Sequence, residues 1–323
     1  MANKYRIVAL DNDDSRVAAA KAAEQLLYNR YHISAKMHYI RIPDIGIYVR
    51  VCEIGEGVPL LIVPGNTGDS FPFVPLMAEL QGKRIITLNR PGGGLSEGFD
   101  HHMVDFRRLA NITLRHVMDY FEIEHIPVAA HSMGGHWSLW FAADQPERVE
   151  RLVLLGSPGN VLSCSPPLPL RLSAVPGINR LLFPAIVSRA PEKALKGLAF
   201  MGHQKEALSR LPAEMGDCYH AFQHLPNYMA SSLSLMETTN TLFHSSQNVH
   251  IGSDVLHSIE QPVLLVWGQN DPFGNEGKAR EIAHALPDAR LIVVGNGGHL
   301  PWLDEPEKCG EWVSGFLGEK RET

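Results

Sequence analysis

Ser132, Asp271 and His299 are the residues whose types and placement could carry out nucleophilic attack on a carbonyl. A serine hydroxyl is a weak nucleophile until a base takes its proton, and that base needs a third group to hold its tautomer. Ser132 stands in Ala130-His131-Ser132-Met133-Gly134, a near match to the Gly-x-Ser-x-Gly pattern in which small neighbours let a strand turn sharply into a helix. The apolar run Ile126–Ala130 leads in, and Met133–Ala143 leads out with a helical pattern. A literal match, Gly94-Leu95-Ser96-Glu97-Gly98, follows the irregular stretch Arg90-Pro91-Gly92-Gly93 and precedes no helix start, so Ser96 is expected to be structural.

The same requirement selects the two partners. Asp271 falls in the turn after the apolar run Val263–Trp267, and His299 follows Asn296-Gly297-Gly298 in the loop after Leu291–Gly295. Chemistry collects at the carboxyl edge of open parallel sheets, where all three would then lie. Other histidines are placed less well: His131 and His136 flank the serine but are expected to point elsewhere, and His101-His102 sit in a polar stretch. His220 and His224 lie one helical turn apart near Cys218, but no third ligand of standard spacing accompanies them, so no metal is assigned. An oxyanion needs two preorganised N–H donors. Met133, the residue after the nucleophile, supplies one, and Asn66 in the open Gly65-Asn66-Thr67-Gly68 loop is assigned the other.

Positioning these groups requires a sheet. Short apolar runs bounded by Gly, Pro or Asn occur at His38–Ile42, Ile47–Ile54, Leu60–Pro64, Arg84–Asn89, Ile126–Ala130, Arg151–Gly156, Val263–Trp267 and Leu291–Gly295. The first two alternate and read as an antiparallel hairpin, whereas the later ones are nearly all apolar, as strands covered on both faces must be. Helical stretches separate them at Val74–Gln81, Met103–Phe121, Met133–Ala143, Glu276–Ala285 and Pro306–Leu317. Between Gly156 and Val263 no strand run appears. The helix-like stretches Glu192–Met201 and Pro226–Phe243 there predict an inserted helical cap, since a structureless loop of that length is foreign to compact domains. Its Phe183, Leu198, Phe200, Met201, Met215, Phe222, Met229, Leu235 and Met236 suit both its own core and the cover of an apolar pocket. The expected bounds are an N-terminal helical extension at 1–37, an α/β core at 38–157 and 256–323, and the cap at 158–255. Ser15–His32 is rich in helix formers with Asp14 or Ser15 as N-cap, and packing on the parent domain is preferred to a homodimer contact.

Bulk composition narrows the partners. With 29 Lys and Arg against 35 Asp and Glu, the net charge of −6 carries no nucleic-acid footprint. No apolar run reaches the length of a membrane span. The four cysteines, Cys52, Cys164, Cys218 and Cys309, form no Cys-x-x-Cys pair, and the start MANKYRIVALDNDD does not resemble a secretory signal, so a cytoplasmic location is expected.

LLIVPGN, NRPGGGLS, AHSMGG, LLVWGQNDP and GNGGHLPWLDEP, in this order across about residues 38–320, resemble the α/β-hydrolase family. The likeness is to its cap-bearing branch of esterases, carbon–carbon bond hydrolases, haloperoxidase-like enzymes and their dehalogenase and epoxide hydrolase relatives. It implies a mostly parallel eight-stranded sheet with helices on both faces, an inserted helical cap and no cofactor. The dehalogenase and epoxide hydrolase relatives use an aspartate where this chain has Ser132, which argues against both activities. Pro64-Gly65 replaces the usual His-Gly, and Asn89-Arg90-Pro91-Gly92 replaces the usual Asp-x-Arg-Gly. The expected reaction is hydrolysis of an ester-like bond in a small to medium, mostly apolar molecule, with cap residues 158–255 lining the pocket. Cleavage of a carbon–carbon bond by the same triad is the alternative, and a ligand receptor with vestigial hydrolysis is the alternative of another class.

Overall fold

The computed structural model describes residues 5, 8–242 and 246–319. The first residues of the expected N-terminal extension, the end of the expected Pro226–Phe243 helix and the last four residues of the expected core lie outside them. Eight strands form one sheet: β1 (Ala35–Ile42), β2 (Ile47–Ile54), β3 (Val58–Val63), β4 (Lys83–Leu88), β5 (Ile126–His131), β6 (Val149–Leu155), β7 (Val263–Gly268) and β8 (Ala289–Val294). Their order is β1-β2-β4-β3-β5-β6-β7-β8. The β1–β2 hairpin is antiparallel, as its alternating pattern predicts, and β2 runs antiparallel to β4. Every other pairing is parallel.

Period-two geometry divides the core. Along β3, Leu61 and Val63 join a cluster on one face while Leu60 and Ile62 join a cluster on the other; along β5, Val128 and Ala130 oppose Ala129. Helices therefore cover both faces. The helices α1 (Ser15–Arg30), α2 (Val74–Glu79), α3 (Phe106–Tyr120) and α4 (Met133–Asp144) precede β6. Helix α3 starts later than the sequence predicts because Asp105 caps it, accepting from the Arg108 N–H at 2.7 Å, and His101–Met103 form a separate turn.

Between β6 and β7 lie α5 (Leu168–Leu172), α6 (Ile178–Ile186), α7 (Pro191–Ala194), α8 (Lys196–Ala199), α9 (Lys205–Arg210), α10 (Ala213–Gln223), α11 (Tyr228–Thr239) and α12 (Ser253–His257). The two ends of this insertion meet at a Val161–Ile251 bridge, where the Leu162 N–H donates to the Ile251 carbonyl at 2.9 Å. The expected single helix Glu192–Met201 is instead two short ones broken at Leu195. After β7 come α13 (Glu276–Ala285), and after β8 α14 (Pro301–Asp304) and α15 (Pro306–Gly318).

Helix α1 packs against α10 and the sheet, burying Val17, Ala20, Leu27 and Tyr28. Its Glu24 carboxylate, also buried, grips the Arg50 guanidinium of β2 through two hydrogen bonds. Removing one partner of a buried pair leaves an uncompensated charge, which costs about 3–5 kcal/mol. Glu24→Ala is therefore expected to lower stability by about that amount in urea unfolding, far beyond a surface substitution.

Candidate active site

Ser132 occupies the sharp turn between β5 and α4, with φ of 51° and ψ of −121°. This conformation costs a non-glycine residue about 1–3 kcal/mol and persists only where surrounding packing enforces it. The enforcement is visible at Gly134, where an added Cβ would lie 2.1 Å from the Val63 carbonyl oxygen of β3. The close approach of α4 to β3 thus demands glycine, and the serine hydroxyl is aimed along the sheet edge rather than used as a helix cap.

The hydroxyl meets His299. Ser132 Oγ lies 2.9 Å from His299 Nε2, and His299 Nδ1 lies 2.8 Å from Asp271 Oδ2. The carboxylate is itself fixed: its Oδ2 accepts from the Ser157 N–H at 2.8 Å and its Oδ1 from the Phe273 N–H at 2.9 Å. With a carboxylate at Nδ1, the neutral ring carries its proton there and presents the Nε2 lone pair to the serine. All three side chains are buried. Two glycines allow the loops to close this tightly. A Cβ on Gly156 would lie 2.2 Å from the His299 carbonyl oxygen, and one on Gly268 would lie 1.9 Å from that of Gly298.

Asn66 follows β3, which neighbours β5, so its loop stands beside Ser132. Asn66, Ser132 and Met133 line one cleft of about 370 Å³ empty volume, together with Leu170, Met236 and Phe273. Neither the Met133 nor the Asn66 N–H donates to another group among the described residues. Arg90 holds the Asn66 loop from behind, donating to the carbonyls of Pro64 at 3.0 Å, Gly65, and Asn66 at 3.0 Å. Its guanidinium also lies 4.9 Å from the Trp137 ring. Burial pulls the Arg90 pKa down to about 9, and burial pushes that of its neighbour Asp69 up to about 8.

A family model for the alpha/beta hydrolase fold matches residues 58–306. The chain belongs to this family. It is 26% identical over 280 residues to the uncharacterized hydrolase YugF of Bacillus subtilis, covering 85% of this chain and 96% of that one. It is 24% identical over 293 residues to 2-hydroxy-6-oxononadienedioate/2-hydroxy-6-oxononatrienedioate hydrolase 2 of Pseudomonas putida, covering 88% and 96%. Naproxen esterase (carboxylesterase NP) of Bacillus subtilis shares the fold with a TM-score of 0.71 and 18% identity, over 96% of this chain and 100% of that one. Among the described residues, no helix is long and apolar enough to cross a membrane.

Within this alpha/beta hydrolase, the structure brings together Ser132, His299, Asp271, Met133 and Asn66, and it places Ser96 apart. Ser96 Oγ donates to the Asn89 carbonyl at 2.6 Å and accepts from the Arg50 N–H at 2.8 Å, which is a structural use. His136 does point away, with Nδ1 against the Gly159 carbonyl at 3.2 Å. His131 differs from expectation. Its ring packs 4.6 Å from the His299 ring, and its Nε2 lies 3.1 Å from the His299 carbonyl oxygen, to which it donates. Burial holds its pKa well below the usual histidine range, so it remains an uncharged strut. Phe273, unremarked in the sequence, stacks on His299 at 4.2 Å between ring centroids. Of the nine apolar insertion residues singled out above, Met236 lines the cleft, Met215 and Phe222 are buried, and Phe200 and Met229 face solvent.

Proposed function

We propose that this protein is a serine hydrolase of ester-like bonds, with Ser132 as nucleophile, His299 as general base and acid, and Asp271 as the group that orients His299. The observation that carries this reading is the hydrogen-bonded chain Ser132–His299–Asp271, at 2.9 and 2.8 Å, opening onto one cleft. Ser132 Oγ attacks the carbonyl carbon as its proton passes to His299 Nε2. The oxyanion is held by the N–H groups of Met133 and Asn66. Collapse expels the alcohol, which takes the proton from His299, and water then repeats the sequence on the acyl-enzyme. Helices α5–α11 act as the cap of residues 158–255, and Leu170 and Met236 give the cleft an apolar wall that favours small to medium apolar acyl groups. Four buried free thiols are in keeping with a reducing, cytoplasmic setting.

A second reading is cleavage of a carbon–carbon bond. The Pseudomonas putida relative is named for a 2-hydroxy-6-oxo dienedioate, which has no ester to cleave, and Asn160 and Asn240 add amide groups to the cleft wall. The test is a panel of p-nitrophenyl esters of graded acyl length set against 2-hydroxy-6-oxo dienoates. Turnover of the esters with an initial burst is the expected result. Turnover of the dienoates alone would move the reaction to the second reading, and tight retention of either without turnover would overturn both.

Arg90 gives a subsidiary test of the oxyanion loop. Arg90→Lys keeps the charge but cannot reproduce the fork that reaches three carbonyls. Loss of one or two such bonds predicts a kcat/KM lower by about tenfold, read on the best ester, with the loss mainly in kcat.

A further inference from the structure

The segment Met201-Gly202-His203, between α8 and α9 of the insertion, is threaded between the loops that carry Asp271 and His299. Gly202 has φ of +86°, and a Cβ there would lie 2.1 Å from the carbonyl oxygen of Asn270, the residue before Asp271. On the other side the contacts are polar. The His299 N–H donates to the Met201 carbonyl at 2.8 Å, and the N–H groups on either side of it are held by one buried pair, His203 and Asp304. The Gly298 N–H donates to Asp304 Oδ2 at 2.8 Å, and the Leu300 N–H donates to His203 Nε2 at 3.3 Å. His203 Nδ1 lies 2.9 Å from the same Asp304 Oδ2.

Three consecutive backbone donors, centred on His299, therefore end on two segments: the insertion segment 201–203 and the short helix α14. Because His203 Nε2 accepts from Leu300, the ring is neutral and its proton sits on Nδ1, facing Asp304. The arrangement repeats the His299–Asp271 pair one layer further out. Arg210 of α9 completes it, donating to the Asp304 carbonyl at 2.7 Å.

We infer that His203 and Asp304 are positioning residues that fix the main chain of His299 and tie the inserted helices to the catalytic loop. This inference rests on the reading of His299 as the base. A buried N–H that loses its acceptor carries a desolvation penalty, and the loop relieves it by shifting. The His299 ring then leaves the line between Ser132 and Asp271, while the cleft wall that binds the acyl group is untouched. The effect belongs in kcat, not in KM.

The experiment compares wild type with His203→Ala, Asp304→Ala and His203→Gln. Two readouts are used: kcat and KM on a p-nitrophenyl ester, and the low-field proton resonance of His299 Nδ1–H, identified by its loss in His299→Gln. His203→Ala and Asp304→Ala are expected to lower kcat about ten- to a hundredfold with KM within twofold, and to shift or broaden that resonance. His203→Gln can set its amide oxygen near the position of Nε2, where it accepts from the Leu300 N–H, and is expected to recover a large part of kcat and a resonance close to wild type. Wild-type kcat with an unmoved resonance in His203→Ala overturns the inference, as does a His203→Gln variant no better than His203→Ala. If His203→Ala does not fold, Asp304→Ala decides by the same two readouts. A wild type that hydrolyses no ester sinks the proposed function instead, and the resonance still decides the positioning role.

Discussion

Ser132→Ala is expected to lower kcat/KM by about 10⁴- to 10⁶-fold, because the hydroxyl that meets His299 Nε2 disappears. The fold should survive the change. The turn at φ of 51° is imposed by the packing of Gly134 on β3, not by any bond of the hydroxyl other than that to His299. Alanine meets the same backbone conformation with one atom fewer. KM for the best ester should move by less than threefold, since the cleft walls and the Met133 and Asn66 N–H groups are retained. A residual rate above the uncatalysed reaction is also expected, because the Met133 and Asn66 N–H groups and the cleft walls persist without the Ser132 hydroxyl.

Asp271→Asn is expected to give the second largest loss, about 10²- to 10⁴-fold in kcat/KM. Asp271 receives three donors: Ser157 N–H and His299 Nδ1–H at Oδ2, and Phe273 N–H at Oδ1. An amide cannot accept at both positions. With its oxygen toward His299, the tautomer is kept but the charge that stabilises the imidazolium is gone, and the Phe273 N–H faces a second donor. With its nitrogen toward His299, the ring proton moves to Nε2 and the base is lost. Both orientations fail, and they differ in severity. Steady-state kinetics on the same ester reads the loss, and rescue by raised pH is not expected to restore wild-type rates.

Much of this was legible in the sequence because strands covered on both faces are nearly all apolar. The runs that became β3 to β8 differ from the observed strands by no more than a residue or two at each end. Ser132, Asp271 and His299 were legible for a related reason: each follows such a strand in a loop whose small or turn-forming residues stand out. Ser96 shows the limit of pattern alone, since its literal motif lies in an irregular loop and its hydroxyl serves the Asn89 carbonyl.

The insertion was legible only as helical. Short helices such as α7 and α8 are set by the surfaces they pack on, not by propensity, so the break at Leu195 left no local mark. The supports of the site were hidden for another reason. Arg90 acts on residues 64–66, Phe273 on His299, and His203 on Asp304 and Leu300, and such pairings between distant segments have no signature in spacing. From the sequence alone His131, beside the serine, is expected to face away. The tight turn instead swings its ring against His299.

Covalent capture of Ser132 tests the central claim most directly. Wild-type protein treated with a fluorophosphonate should gain the mass of one adduct, and peptide mapping should place it on Ser132, while Ser132→Ala gains none. A wild type that stays unmodified, or a Ser132→Ala variant labelled to the same extent, would contradict the assignment of Ser132 as the nucleophile.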